Sequence, residues 1–289
     1  LIKGWDKDDS KPMSELESIA TAWLEAKFNA VVKEVEDNFV GYRLSEALIT
    51  IYSFIWDDFC SWYLEMIKPA QEEKMSAETM DKTIALFSSI CSLLHPYMPF
   101  ITEEIWHQLN EEAKEDCILS NFPAYVEKDA MVLNAVEHAK KLITQVRELR
   151  SKNGLKSKDS FPLVAKRTAN TAAYFSLAGY KAVCLKMAGL EDFTLSTDEA
   201  VAGISFITDA ENYTALVNIA IDVNKELEEK QKELIHQQGF VASIEKKLDN
   251  EKFVSGAPAD VIERERKKLN DGKDRIQLLL TEIEKLKAM

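Results

Sequence analysis

The sequence predicts a mainly α chain in three parts. These are a helical bundle over residues 1–130, a basic helix with a small mixed α/β unit over 131–220, and an antiparallel coiled-coil hairpin over 221–289. Three observations lead there. Apolar residues recur at helical spacing through the first part, punctuated by prolines. After Asn153-Gly154 the phrases shorten and become β-like. In the last part, two runs step by four and three residues and pair in opposite directions, as a coiled-coil hairpin does.

The first helix is expected over residues 15–38, where Leu16, Ile19, Ala20, Trp23, Ala26, Ala30 and Val31 share a face. The second, "LSEALITIYSFIWDDFCSWYLEMI", closes at Lys68-Pro69 because proline ends a helix. Its apolar stripe is read as Leu44, Leu48, Ile51, Tyr52, Ile55, Phe59, Trp62 and Tyr63, so its aromatics are expected mostly in the core. A third helix covers residues 76–94, with Ser76 as its cap. The phrase "LLHPYMPFITEEIW" then turns a corner. Pro96 disfavours α geometry at His95, and Pro99 suits a new first turn. Glu103 and Glu104 sit near that new N-terminus, where negative charge is favoured. The corner proper is His95-Pro96-Tyr97-Met98-Pro99, whose apolar residues are expected to wedge into the bundle. His95 reads as a corner residue, since no nucleophile or carboxylate stands at a recognisable spacing and the other histidines form no metal pattern with it.

A helix over residues 130–152 carries Lys140, Lys141, Arg147 and Arg150. Strands are expected at 161–167, 193–197, 204–208 and 213–217, with one helix over 171–187 and a turn at "TDAEN". In the tail, Val223, Leu227, Lys230, Leu234, Gln237, Val241, Ile244 and Leu248 form one seam. Ile262, Glu265, Leu269, Gly272, Ile276, Leu279, Ile283 and Leu286 form the other. Paired from Leu248–Ile262 back to Val223–Leu286, the numbers sum to 509 or 510 every time, so the hairpin closes on itself around "NEKFVSGAP". Lys230, Gln237, Glu265 and Gly272 are imperfections of that seam. Either they set the register or the hairpin is loose.

Bulk properties exclude several classes. With 289 residues and 46% apolar content, the chain can bury a core in two or three units. No apolar run approaches the roughly 18 residues of a membrane span, and no signal peptide opens the chain. It does not begin with Met, so a piece of a longer protein is expected. Four scattered cysteines suit free thiols in a reducing, cytoplasmic setting. No Gly-rich phosphate loop is present. Charge is unevenly spread: residues 1–130 hold 11 Lys/Arg against 25 Asp/Glu, residues 131–190 hold 11 against 3, and residues 191–289 hold 14 against 21. A basic block between acidic ones fits a polyanion partner, although a solvated lysine face is the competing reading. Around the hairpin tip lie Lys246, Lys247, Arg264, Arg266, Lys267 and Lys268, nearly cancelled by acidic neighbours, and here too a solvated surface competes.

Two phrases then carry a resemblance. "IYSFIWDDFCSWYLEMIKP" followed by "LLHPYMPFITEEIW" resembles the helical anticodon-binding domain of class I aminoacyl-tRNA synthetases. "LDNEKFVSGAPADVIERERKKL" resembles the coiled-coil arm of the bacterial-type valyl-tRNA synthetases, and "QVRELRSKNGL" lies between them in the right order. The family's two catalytic signatures, His-Ile-Gly-His and Lys-Met-Ser-Lys-Ser, have no counterpart; Lys74-Met75-Ser76 only imitates the start of the second. No editing domain is recognisable.

The resemblance implies a tRNA-recognition region with no catalysis of its own. ATP and magnesium would belong to a missing catalytic domain, and the fragment would need no cofactor and no metal. Its implied partner is tRNA(Val), with neither DNA nor a membrane involved, and its expected state is a monomer. Tyr42 and Arg43, in the break "FVGYR", are candidates for anticodon-loop contact; the competing reading buries Tyr42 and leaves Arg43 in solvent. Arg147, Arg150, Lys152, Lys156 and Lys158 are candidate phosphate ligands. The six tip cations would contact the outer corner of the tRNA. A non-catalytic protein-interaction scaffold is the alternative.

Overall fold

A computed structural model describes residues 5–70, 73–110, 115–128, 130–156, 158–197, 202–217, 223–250 and 258–287. It forms two compact units, residues 1–143 with 173–188 and residues 144–172 with 189–289.

The first unit is the helical bundle. Ser14 and Glu17 form a capping box that starts α1 (Glu15–Val40): the Ser14 hydroxyl accepts from the Glu17 amide, and the Glu17 carboxylate accepts from the Ser14 amide at 2.8 Å. Trp23, Leu24, Val32 and Val35 of α1 are fully buried. α2 (Leu44–Ser53) runs on through a ten-residue π-helix (Phe54–Tyr63) into α3 (Leu64–Ile67). The Ser61 hydroxyl donates to the Trp56 carbonyl, five residues back.

This helix corrects the expected stripe. From Leu44 to Tyr63 the buried apolar residues are Ala47, Ile51, Phe54, Phe59 and Tyr63, so Ile51, Phe59 and Tyr63 are buried as expected, whereas Leu44 and Tyr52 are exposed. Phe54 packs on Phe28 at 5.6 Å between ring centroids. The α2 face that meets α1 lies one residue away from the expected one, and the wider π turn then brings Phe59 and Tyr63 back into register.

Short strands β1 (Lys7–Asp8) and β2 (Met75–Ser76) pair in parallel. Ser76 then caps α4 (Ala77–Leu94), accepting from the Thr79 amide as the sequence suggested. α5 (Pro99–Leu109) follows the corner with Pro99 in its first turn. There His95 Nδ1 meets the Thr102 hydroxyl at 2.8 Å, and that hydroxyl donates to the Met98 carbonyl. His95 therefore ties the corner together. Met98 does not wedge inward as expected but is exposed, and so is Phe100 just after the corner.

α6 (Ala130–Lys152) begins in this unit, burying Ala135, Val136, Ala139, Leu142 and Ile143. Its Lys140 is held inside, 2.7 Å from Asp58 and 3.3 Å from Glu137, with the Trp23 and Trp62 rings beside it. The helix expected over 171–187 is two helices, α7 (Ala169–Ser176) and α8 (Tyr180–Ala188). Gly179 breaks it at φ +87°, and a Cβ there would lie 2.2 Å from the Glu15 carbonyl oxygen. Only glycine fits so close an approach.

In the second unit, β3 (Leu163–Lys166), β4 (Phe193–Ser196), β5 (Ile204–Thr208) and β6 (Glu211–Ala215) form one sheet in the order β4-β3-β6-β5. β3 and β4 are parallel, and the other pairings are antiparallel. Asp209 and Ala210 turn the β5–β6 hairpin with positive φ at both positions, the geometry that matches strand twist.

The tail is the helical hairpin, α9 (Val223–Leu248) and α10 (Ala259–Lys287). Most of the turn at "NEKFVSGAP", residues 251–257, lies outside the described residues. The register agrees with the sequence pairing: a Cβ on Gly272 would lie 3.3 Å from Gln237, its expected partner. Several seam imperfections are cross-links or close fits. Lys230 pairs with Glu282 at 2.5 Å, and Glu265 with Lys247 at 3.4 Å. Arg275 pairs with Glu233, and Lys273 with Glu245 at 2.8 Å, on the flanks. Among the described residues, no helix is long and apolar enough to cross a membrane.

Candidate nucleic-acid interface

The first surface is the end of the bundle where α1 turns into α2. The Gly41-Tyr42 turn holds Tyr42 at φ +56° and leaves it 92% exposed, so the buried reading of Tyr42 is excluded. A left-handed tyrosine is uncommon, and its ring gains no packing in return. Arg43 beside it is also exposed. The corner between α4 and α5 reaches the same place: the Tyr97 hydroxyl donates to the Leu44 carbonyl at 2.7 Å, and its ring lies 6.2 Å from Phe39. That corner displays Phe100, 91% exposed. Val40, Leu44, Met98 and Ile101 complete an apolar rim. The sequence reading missed Phe100 because Pro-Phe-Ile continues the apolar pattern of a buried helix face. The signal available was its place at the first turn, beyond the reach of the core.

The second surface is the end of α6 and the loop after it. Arg147, Lys152, Lys156 and Lys158 are exposed. Arg150 is different. It is 7% exposed, its guanidinium donates to the carbonyls of Lys156 (3.1 Å), Asp159 (2.5 Å) and Gly189 (2.7 Å), and it lies over the Phe161 ring. Burial lowers its pKa. The expected role of Arg150 as a phosphate ligand is therefore corrected. It folds the loop that displays Lys156 and Lys158, because it has spent its donors on backbone carbonyls.

At the arm, Lys246, Arg264, Arg266 and Lys267 lie on exposed helix surface. Lys247 and Lys268 both reach Glu265, at 3.4 and 2.9 Å. The hydrogen bond from Lys268, supported by Lys247, holds the Glu265 carboxyl below its ordinary pKa. Glu265 thus joins the two helices near the tip.

Other chemistry-bearing groups are accounted for locally. Cys91, Cys117 and Cys184 are buried, and burial pushes the Cys91 and Cys184 thiols up to about 12. Glu103, His107 and Asp116 come within 4.8 Å of one another. His107 Nε2 lies 3.2 Å from Glu103 and 3.1 Å from Asp116, and Glu103 also accepts the Cys117 amide. The three pin the segment after α5 back onto that helix. Met75 and Ser76 are buried in a strand bridge and a helix cap, which does not fit a loop that would hold a nucleotide phosphate.

Comparison with known proteins adds the decisive observation. The family profile described as the anticodon-binding domain of tRNA ligase matches residues 21–165, half of the chain. The chain belongs to this anticodon-binding family. A second profile, the valyl tRNA synthetase tRNA binding arm, matches residues 222–287. Relatives named valine–tRNA ligase match across the whole length. That of Parabacteroides distasonis is 37% identical over 96% of this chain and 31% of the relative. That of Porphyromonas gingivalis is 36% identical over 100% and 32%, and that of Clostridium acetobutylicum 32% over 93% and 31%. The chain spans about a third of the length of these relatives. A segment of the anticodon-binding family and a segment matching the valyl-type arm therefore stand in one chain, in that order.

Proposed function

We propose that this chain recognises tRNA(Val) at two places, as a cytoplasmic monomer, on behalf of a valine–tRNA ligase whose chemistry resides elsewhere. The end of the bundle receives the anticodon loop, and the arm rests on the outer corner of the tRNA. The observation that carries this reading is the pair of displayed rings, Tyr42 and Phe100, on one rim with Arg43. Unstacked loop bases are recognised by aromatic faces and arginine planes. Lys156 and Lys158, together with Arg147 and Lys152, supply phosphate contacts that position without reading sequence. ATP and magnesium belong to the remainder of that ligase. The protein-scaffold alternative is not favoured, because the arm's apolar seam is consumed between its own helices.

Fluorescence anisotropy with a labelled anticodon stem-loop tests the bundle's share. Tyr42→Ala and Phe100→Ala should each weaken binding by about 1–3 kcal/mol if each ring stacks on a base. Unchanged affinity in both would remove the bundle end from recognition.

A further inference from the structure

Lys230 stands in the apolar seam of the arm, where a buried cation is costly. Its ammonium does not merely face the opposite helix. It donates to Glu282 of α10 at 2.5 Å and to the Ser205 carbonyl of β5 at 2.8 Å. Glu282, which is buried, accepts from the Asn212 side-chain amide of β6 at 3.4 Å on its other oxygen. One ion pair therefore touches both helices of the arm and two neighbouring strands of the sheet. It lies at the base of the hairpin, seven residues into α9 and five from the end of α10.

We propose that Lys230 and Glu282 are positioning residues that clamp the direction in which the arm leaves the sheet. This rests on reading the arm as a tRNA-binding lever. The geometry explains why a clamp is needed. With 26 residues in α9, the arm is about 39 Å long at 1.5 Å per residue. A tilt of ~10° at such a base displaces the tip by roughly 7 Å, more than the reach of a phosphate contact. Interhelical pairs nearer the tip, such as Lys247–Glu265, fix register between the helices but cannot fix the angle to the sheet. An apolar pair at positions 230 and 282 would hold the helices together equally well. Only a donor at 230 can bind the Ser205 carbonyl. Buried polar groups of this kind are best attested as devices of register and geometry rather than of net stability.

A charge swap separates the clamp from a simple interhelical pair. Lys230→Glu with Glu282→Lys keeps the ion pair but turns a carboxylate toward the Ser205 carbonyl. Lys230→Arg keeps a donor there. Spin labels at Ser243→Cys on α9 and Thr194→Cys on β4, in a Cys60→Ser background of the full chain, report the arm's direction as a distance distribution. The clamp predicts a narrow distribution for the parent and for Lys230→Arg, and a broadened one for the swap. Whole tRNA(Val) should bind the swap about tenfold more weakly, since a wandering arm loses its effective concentration at the second site. The anticodon stem-loop should bind unchanged. A swap as narrow as the parent overturns the clamp. A broadened distribution with undiminished tRNA affinity upholds the clamp and overturns the lever reading on which its purpose rests.

Discussion

Gly272 of α10 faces Val241 of α9 so closely that a Cβ at 272 would lie 2.7 Å from Val241 Cγ2. The glycine sits mid-helix, where alanine is ordinarily favoured by about 1 kcal/mol. Here the added methyl has no room.

Gly272→Ala is therefore expected to destabilise the arm despite its helix propensity, since overpacking costs about 1–3 kcal/mol. Thermal unfolding of the parent and variant checks this. Adding Val241→Ala should recover part of the loss, which ties the effect to that one contact.

The basic loop separates architecture from contact. Arg150→Ala removes charged donors from three backbone carbonyls, each such bond contributing about 1.5–3 kcal/mol, so unfolding by urea should show a large loss. Lys156→Ala and Lys158→Ala should stay within about 0.5 kcal/mol of the parent. Each should instead lower the log–log salt slope of tRNA binding by roughly 0.7–0.9. An unchanged slope would make these lysines ordinary solvated surface.

Thiol chemistry follows burial. Cys60 is the exposed cysteine, whereas Cys91, Cys117 and Cys184 are buried. One thiol should react with a disulfide reagent under native conditions and four after unfolding. Cys91 and Cys184 ionise in the fold only near about 12, against an ordinary value of 9.0. Between those values the unfolded chain releases protons that the folded chain keeps. Stability contributed by the neutral thiols is complete below pH 9 and falls as pH rises toward 12. Urea midpoints at pH 8 and pH 10 should differ in that direction, and less so in a Cys91→Ala variant.

Periodicity made the helices and the arm legible. Seam spacing placed Gln237 opposite Gly272, and Ser76 announced itself as a cap by chemistry alone. What escaped was tertiary. Whether Tyr52 or Phe54 faces the core depends on which side of α2 meets α1, and a π turn disturbs any 3.6-residue count beyond it. Gly179 gave no sign that the Glu15 backbone would pass beside it. The site divided in the same way. Basic clustering found the loop cations, but only folding shows that Arg150 is inside them. Phe100 has no sequence signal of its own, and its exposure follows from its place at the corner. By spacing alone Lys230 is an imperfection of the seam, and only the fold puts Ser205 and Glu282 within its reach.

The central claim is that two separate surfaces recognise one tRNA, and the arm's tip is where it is most exposed to test. Lys268 should be left intact, since with Lys247 it holds Glu265 in the seam. Lys246, Arg266 and Lys267 stand on exposed helix surface, where alanine preserves folding. Binding of their triple alanine variant is to be measured against whole tRNA(Val) and against the isolated anticodon stem-loop. Binding to whole tRNA should weaken by roughly tenfold or more, as expected when a second attachment is lost, while binding to the stem-loop stays unchanged. Equal losses on both, or none on either, would contradict the account.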